Sequence, residues 1–108
     1  MKPDLPEAAA AFFAAANTGD ATPLLPYLVP EAIAQDEGHV HRGAQAIAAW
    51  LQKAQSTTPY RAEPLSIAVE DGHVRVLARI VGDFPQSPIE LQHDFHLVDG
   101  RIVALAIG

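Results

Sequence analysis

Apolar residues recur at helical spacing in three segments in the first half of the chain. The first segment begins at Asp4, which predicts a helix N-cap, and ends at Gly19, where glycine can close a helix in the left-handed conformation. The second, residues 20–28, predicts a short helix that Pro26 makes weak and partly 3₁₀. The third, residues 44–55, is rich in strong helix formers and predicts a regular helix.

Alternating and β-branched residues dominate the rest of the chain and predict strands. A short pair, residues 31–36 and 39–42, flanks a turn at Glu37 and Gly38. Four longer antiparallel strands follow, at residues 60–69, 74–81, 89–98 and 101–107. Because an apolar sheet face must be buried, the helices are expected to cover one face of this sheet. The pattern therefore predicts an α+β fold.

Composition narrows the functional classes. The 108 residues fit one domain spanning residues 1–108, and the net charge of −6 with scattered arginines argues against a nucleic-acid partner. The lack of cysteine excludes a disulfide framework and a thiol nucleophile. No apolar run reaches the ~18 residues of a membrane span, and the N-terminal apolar stretch lacks the basic flank of a signal peptide. We therefore expect a cytoplasmic protein with no membrane partner.

A set of short motifs occurs in order along nearly the whole chain. These motifs are Phe12-Phe13, Asn17-Thr18-Gly19-Asp20, Pro30-Glu31-Ala32-Ile33, Asp36-Glu37-Gly38, Arg42-Gly43, Ile47 with Trp50, residues 82–88, and Phe95-His96-Leu97 before Asp99-Gly100-Arg101-Ile102. The set resembles the SnoaL-like and ketosteroid-isomerase-like proteins of the nuclear transport factor 2-like superfamily. The resemblance implies a cone-shaped half-barrel, or cystatin-like roll, with three N-terminal helices on a curved, mainly antiparallel sheet. It also implies an apolar pocket at the open end.

Asp36 is the first candidate for chemistry. It ends an alanine-rich strand ahead of the Arg42-Gly43 element, and in ketosteroid-isomerase-like sequences the corresponding aspartate is the general base. A carboxylate beside an apolar pocket loses hydration, which raises its proton affinity and suits it to moving a proton next to a carbonyl. The alternative is that Asp36 accepts backbone hydrogen bonds in the turn that follows.

The strand at residues 89–98 supplies the second candidate. His93 lies on its mainly apolar face, and Asp94 lies on the other face. In ketosteroid isomerases the corresponding strand supplies a protonated aspartate that donates to the developing oxyanion. Alignment by hydrophobic face places His93 there, whereas a shift of one residue places Asp94 there. We favour His93 as the polarising group, although a buried histidine can also be purely structural.

Four aromatic residues are candidates for the wall of a ligand pocket: Phe12, Tyr27, Trp50 and Phe95. Ordinary core packing is the alternative for each of them. The resemblance fails at Phe12, because isomerases of this kind carry an oxyanion-hole tyrosine on the first helix and phenylalanine has no donor. Steroid isomerisation is therefore not the expected activity.

Two observations bear on cofactors and assembly. His39 and His41 lie two residues apart, but without a firm third ligand they predict a solvated hairpin rather than a metal site. No cofactor is expected. The last strand, residues 101–107, is apolar on both faces, which predicts a homodimer through the sheet.

The leading hypothesis is a homodimer that encloses a small apolar ligand. The family includes isomerases, polyketide cyclases and epoxide hydrolases, so the resemblance allows a reaction that uses Asp36 and His93 without naming it. The alternatives are a binding module that does not turn its ligand over, and a structural homodimer whose cavity is filled by its own side chains.

Overall fold

The computed structural model describes residues 3–108, which form two α-helices, one 3₁₀-helix and one six-stranded sheet. In chain order the elements are α1 (Glu7–Thr18), the 3₁₀-helix (Thr22–Tyr27), β1 (Leu28–Asp36), β2 (His39–Arg42), α2 (Ala44–Thr57), β3 (Tyr60–Glu70), β4 (His73–Gly82), β5 (Ile89–Val98) and β6 (Arg101–Ile107). The α+β class is as predicted. The three helical segments are not all N-terminal to the sheet, because β1 and β2 precede α2.

The ends of α1 show which local signals decide a helix boundary. Asp4 is not its N-cap, because the helix begins at Glu7 and no side chain caps it. Proline disfavours helical geometry in the residue before it, so Pro6 keeps Leu5 out of the helix and delays its start. The C-terminal prediction is confirmed, since Gly19 has φ of 80° and its N–H donates to the Ala15 carbonyl.

The sheet has the strand order β2-β1-β6-β5-β4-β3. All neighbouring strands are antiparallel except β1 and β6, which are parallel. The predicted strands are found within a few residues of their expected bounds. The largest difference is at β1, which begins at Leu28 and contains Pro30 where the pairing with β6 is irregular, a place where a missing N–H is tolerated.

One hydrophobic core lies between the helices and the inner face of the sheet. Its largest fully buried side chains are Phe12, Leu24, Ile47, Leu51, Val76, Phe95 and Ile102. The Phe12, Phe13 and Phe95 rings meet edge to face, with centroids 5.3 to 5.9 Å apart. No helix within residues 3–108 is long and apolar enough to cross a membrane.

Two amide side chains bind the free edge of β3. Asn17 exchanges two hydrogen bonds with the backbone of Ala62, at 2.9 and 2.6 Å. Gln55 does the same with the backbone of Tyr60, at 2.8 and 3.0 Å, and also donates to the Ala16 carbonyl. These contacts satisfy backbone groups that an edge strand would otherwise expose. They also fix the start of β3 against both helices.

Candidate functional site

A cavity of about 850 Å³ lies between α2 and the inner face of the sheet, with a smaller contribution from α1. Its polar lining residues are Asp36, Glu37, His41, Lys53, Thr57, Thr58, Tyr60 and His93. Its apolar lining residues are Phe12, Ala16, Ala46, Ala49, Trp50, Leu51, Ala54, Ala62, Ile80, Phe84, Leu91 and Ile107. The volume is in the range of small-molecule sites, and a mainly apolar wall with a few polar groups is typical of them.

Asp36 reaches the cavity because it is the last residue of β1 and shares the inner face with Ala32 and Ala34, which are fully buried. Its side chain is half-buried. Burial, with a smaller contribution from the Glu37 carboxylate, raises the pKa of Asp36 above its ordinary value, while His41 acts in the opposite direction. The raised pKa makes the carboxylate a better proton acceptor.

Asp36 and His93 face the cavity from β1 and β5, the two strands that flank β6. Ile107 on β6 pairs with Asp36 on β1 and with His93 on β5, so the three residues form a row across the inner face. Two strand spacings separate the backbones of Asp36 and His93 by about 10 Å. This separation leaves room for a ligand that contacts both side chains.

His93 is 3% exposed and packs against the rings of Phe12 and Phe13. Burial lowers the pKa of His93 to about 4, and the backbone carbonyls of Leu91 and Val76 oppose this shift. The imidazole is therefore neutral near pH 7. A neutral ring has one N–H, and Nδ1 lies 3.2 Å from the Leu91 carbonyl, which can only accept. We assign the proton to Nδ1 on this basis, and in that tautomer the other ring nitrogen carries a lone pair.

Asp94 points away from the cavity, as expected for the residue next to His93 in a strand. On the outer face its carboxylate lies 3.0 Å from Nδ1 of His73 and 3.5 Å from Nε of Arg75. The His73 ring in turn stacks on His96, with centroids 4.6 Å apart. Of the two alternatives left by the sequence, the structure therefore places His93 in the cavity wall.

Two of the four aromatic candidates line the cavity and two do not. Phe12 and Trp50 are in its wall. Tyr27 is absent from the wall because the 3₁₀-helix places it beside the first turn of α1, where its hydroxyl donates to Oε2 of Glu7 at 3.3 Å. Phe95 is also absent, because it lies two residues further along β5 and is fully buried in the core.

Tyr60 was not among the site residues predicted from the sequence, but it lines the cavity from the first position of β3. Burial and then the Asp36 carboxylate raise the pKa of Tyr60 to about 12, so the phenol stays protonated. Within residues 3–108 its hydroxyl has no hydrogen-bond partner. The available signal was the strand alternation, which puts Tyr60 on the same face as the buried Ala62.

The two histidines of β2 differ in their surroundings. The ring of His41 stacks on Trp50, with centroids 4.6 Å apart and an angle of 14° between the planes, and it lines the cavity. His39 is exposed. In the part of the chain that the structure describes, no three His, Cys, Asp or Glu side chains are placed to hold a metal ion.

Comparison with known proteins identifies the family. The family model of the SnoaL-like domain matches residues 9–105. The chain belongs to the SnoaL-like family. No curated protein matches this SnoaL-like chain. Solved structures do, including a protein of Sinorhizobium meliloti provisionally named a polyketide cyclase, with 37% identity, a TM-score of 0.90, and coverage of 97% of this chain and 96% of that one.

Two further solved structures share the fold of this SnoaL-like chain. A provisionally named isomerase of the SnoaL-like family from Agrobacterium tumefaciens has 22% identity and a TM-score of 0.78. The match covers 93% of this chain and 92% of that one. A protein of Catenulispora acidiphila with a ketosteroid-isomerase-like fold, solved with trimethylamine, has 15% identity and a TM-score of 0.84, with coverage of 97% and 86%. At these identities the likeness establishes the fold alone.

Proposed function

We propose that this SnoaL-like protein encloses a small, mostly apolar carbonyl compound and moves a proton next to its carbonyl group without a cofactor. The observation that carries the proposal is a half-buried carboxylate, Asp36, in the wall of a large apolar cavity. The carboxylate accepts the proton from carbon, and the same group returns it at another position or to a cyclised product. The provisional name of the Sinorhizobium meliloti relative, polyketide cyclase, supports this class of reaction.

We assign His93 a different role from the one expected from the sequence. A neutral ring whose N–H goes to the Leu91 carbonyl has nothing to donate to a developing oxyanion. Its free nitrogen can accept a hydrogen bond from a substrate hydroxyl. His93 therefore orients the ligand, and the negative charge that forms on the carbonyl oxygen needs another donor.

The proposal is tested with 2-tetralone, an apolar ketone with acidic protons next to its carbonyl. In D₂O the protein is expected to exchange these protons for deuterium at a rate that saturates with ketone concentration, measured by proton NMR. Ala49→Trp places an indole in the cavity wall and is expected to abolish saturation. Ala14→Trp, at an exposed position of α1 outside the cavity, is the matched control and keeps it.

The outcome separates the candidate functions. Exchange by the wild-type protein no faster than in buffer overturns the proposed reaction. If 2-tetralone then still raises the melting temperature of the wild-type protein but not of Ala49→Trp, the protein is a binding module. Folding of both tryptophan variants is checked by circular dichroism, so that loss of exchange is assigned to the filled cavity.

We also propose that the protein forms a homodimer through the outer face of the sheet. On that face Ile33 of β1 and Val40 of β2 are 37% and 43% exposed, and Ile33 is adjacent to Ala104 of β6. Exposed apolar side chains on a sheet face without a covering layer are typical of a subunit interface.

Light scattering is expected to give the mass of a dimer at micromolar concentration. Ile33→Glu is expected to give a monomer, because a charge would be buried in the interface without a partner. Val69→Glu adds the same charge at an exposed valine of β3 whose partner in β4, Val74, belongs to the core side, and it is expected to remain dimeric. A monomeric wild-type protein would remove the dimer from the proposal.

A further inference from the structure

We propose that the Tyr60 hydroxyl is the hydrogen-bond donor to the carbonyl oxygen of the substrate, on the wall of the cavity opposite Asp36. The inference rests on the proposed proton transfer and adds a substrate geometry to it. The acidic carbon lies toward β1 and the carbonyl oxygen toward β3. The substrate class is then an apolar ketone or related carbonyl compound whose acidic C–H bond adjoins the carbonyl.

The curvature of the sheet brings the two residues to one cavity. Asp36 is on β1 and Tyr60 is on β3, which are four positions apart in the strand order. In a flat sheet that would separate them by about 19 Å. Both side chains nevertheless line the same cavity, and the Asp36 carboxylate acts on the Tyr60 phenol strongly enough to contribute to its raised pKa. The ends of the curved sheet therefore present an acceptor and a donor to a single ligand.

Tyr60 is held in place from several sides. Gln55 binds both its backbone N–H and its carbonyl. Gly82 lies against its side chain so closely that a Cβ on Gly82 would be 2.9 Å from the Tyr60 Cβ, 2.9 Å from the Pro59 carbonyl oxygen and 3.0 Å from the Phe84 ring. These contacts fix the backbone and Cβ of Tyr60 before the ligand binds, which limits the reorganisation that a donor at this position needs during the reaction.

Three other polar groups of the cavity are poorer donors for this oxygen. His93 has no free N–H, as described above. Lys53 and Thr57 are exposed at α2, where water competes for their hydrogen bonds. The Tyr60 phenol remains protonated near pH 7, because its pKa is raised, and its hydroxyl has no partner within residues 3–108. The half-buried Tyr60 phenol supplies a donor that Phe12, in the same cavity wall, cannot.

The proton and electron balance of the step is simple. Asp36 takes the proton from the carbon next to the carbonyl, and the electrons of the C–H bond form the carbon–carbon double bond of an enolate. The π electrons of the carbonyl move to its oxygen, where Tyr60 holds the charge by a hydrogen bond and keeps its own proton. Return of the proton from Asp36 to carbon completes the cycle. The negative charge thus moves from one wall of the cavity to the other.

The test uses a readout that does not depend on turnover. The probe is 2-tetralone labelled with ¹³C at the carbonyl, bound to an Asp36→Asn protein so that the ketone is not enolised. A donor on the oxygen moves the carbonyl ¹³C resonance downfield from its position in an apolar solvent. Adding Tyr60→Phe is expected to remove this displacement, whereas adding Tyr27→Phe, which deletes the other tyrosine hydroxyl of the chain outside the cavity, is expected to leave it.

In the protein with Asp36 intact, Tyr60→Phe is expected to lower kcat for exchange by about 10²–10³-fold with a small change in KM, the usual loss for one oxyanion donor. A ¹³C resonance that is unchanged by Tyr60→Phe overturns the inference, as does an unchanged kcat. Either result leaves the proposed function intact if exchange still depends on Asp36. Failure of the proposed function is recognised separately, as an absence of saturable exchange in the wild-type protein.

Discussion

Asp36→Asn is expected to slow deuterium exchange into 2-tetralone by about 10²–10⁴-fold, the range found when a general base is lost. The amide has nearly the same shape as the carboxylate but cannot take a proton. Binding of the ketone should persist, because most of the cavity wall is apolar and unchanged. The expected result is therefore a fall in kcat with a small change in KM, measured by proton NMR over a range of ketone concentrations.

The chain offers a matched control for this substitution. Asp94→Asn makes the same chemical change on the outer face of the sheet, outside the cavity, and is expected to leave kcat unchanged. The pH profile gives a second check, because Asp36 acts as a base only when it is ionised. The rate should rise with pH through a pKa above the ordinary aspartate value. An Asp36→Asn protein that exchanges as fast as the wild type would exclude Asp36 as the base.

The strand periodicity of two is the reason that part of the site could be predicted. In β5 the apolar residues fall on alternate positions, and this alternation alone turns His93 inward and Asp94 outward. The turn signals on either side of the strand are strong, so its bounds, Ile89–Val98, were also predicted. Asp36 was found by a different signal, its position at the end of an alanine-rich strand, which the resemblance to a known family made interpretable.

Other features depend on distances that no local pattern contains. Tyr60 joins the site only because the curved sheet brings β3 round to face β1, and curvature is a property of the assembled sheet. The same limit explains Phe95 and Tyr27, which have the residue type of a pocket wall but lie in the core and beside α1. Residue type and periodicity identify a face of an element, and tertiary packing decides whether a cavity adjoins that face.

The neutral state of His93 is expected to make the stability of the protein depend on pH. In the folded state the ring binds a proton only near pH 4, whereas in the unfolded chain it does so below about 6.5. Between these values the unfolded state binds more protons, so acid favours unfolding. From pH 7.5 to pH 4 the contribution of His93 to the unfolding free energy should fall by about 3 kcal/mol.

His93→Leu removes this contribution and is expected to flatten the pH dependence by about the same 3 kcal/mol, measured by urea denaturation at both pH values. The wild type must be measured alongside, because Asp36 affects the pH dependence of stability in the opposite direction. Its raised pKa means that the carboxyl gains a proton more readily in the folded state, so acid stabilises the folded protein through this group. Subtracting the two curves cancels Asp36 and leaves His93.

Phe13→Leu is the packing control, since Phe13 is buried and its ring centroid lies 5.0 Å from that of His93. It should lower the unfolding free energy by a similar amount at both pH values, because it disturbs the same cluster without removing a titrating group. Parallel curves for the wild type and His93→Leu would show that the ring gains a proton in the folded state as easily as in the unfolded chain. The pKa of His93 would then lie near 6.5, and the assignment of a ring that stays an acceptor down to about pH 4 would have to be abandoned.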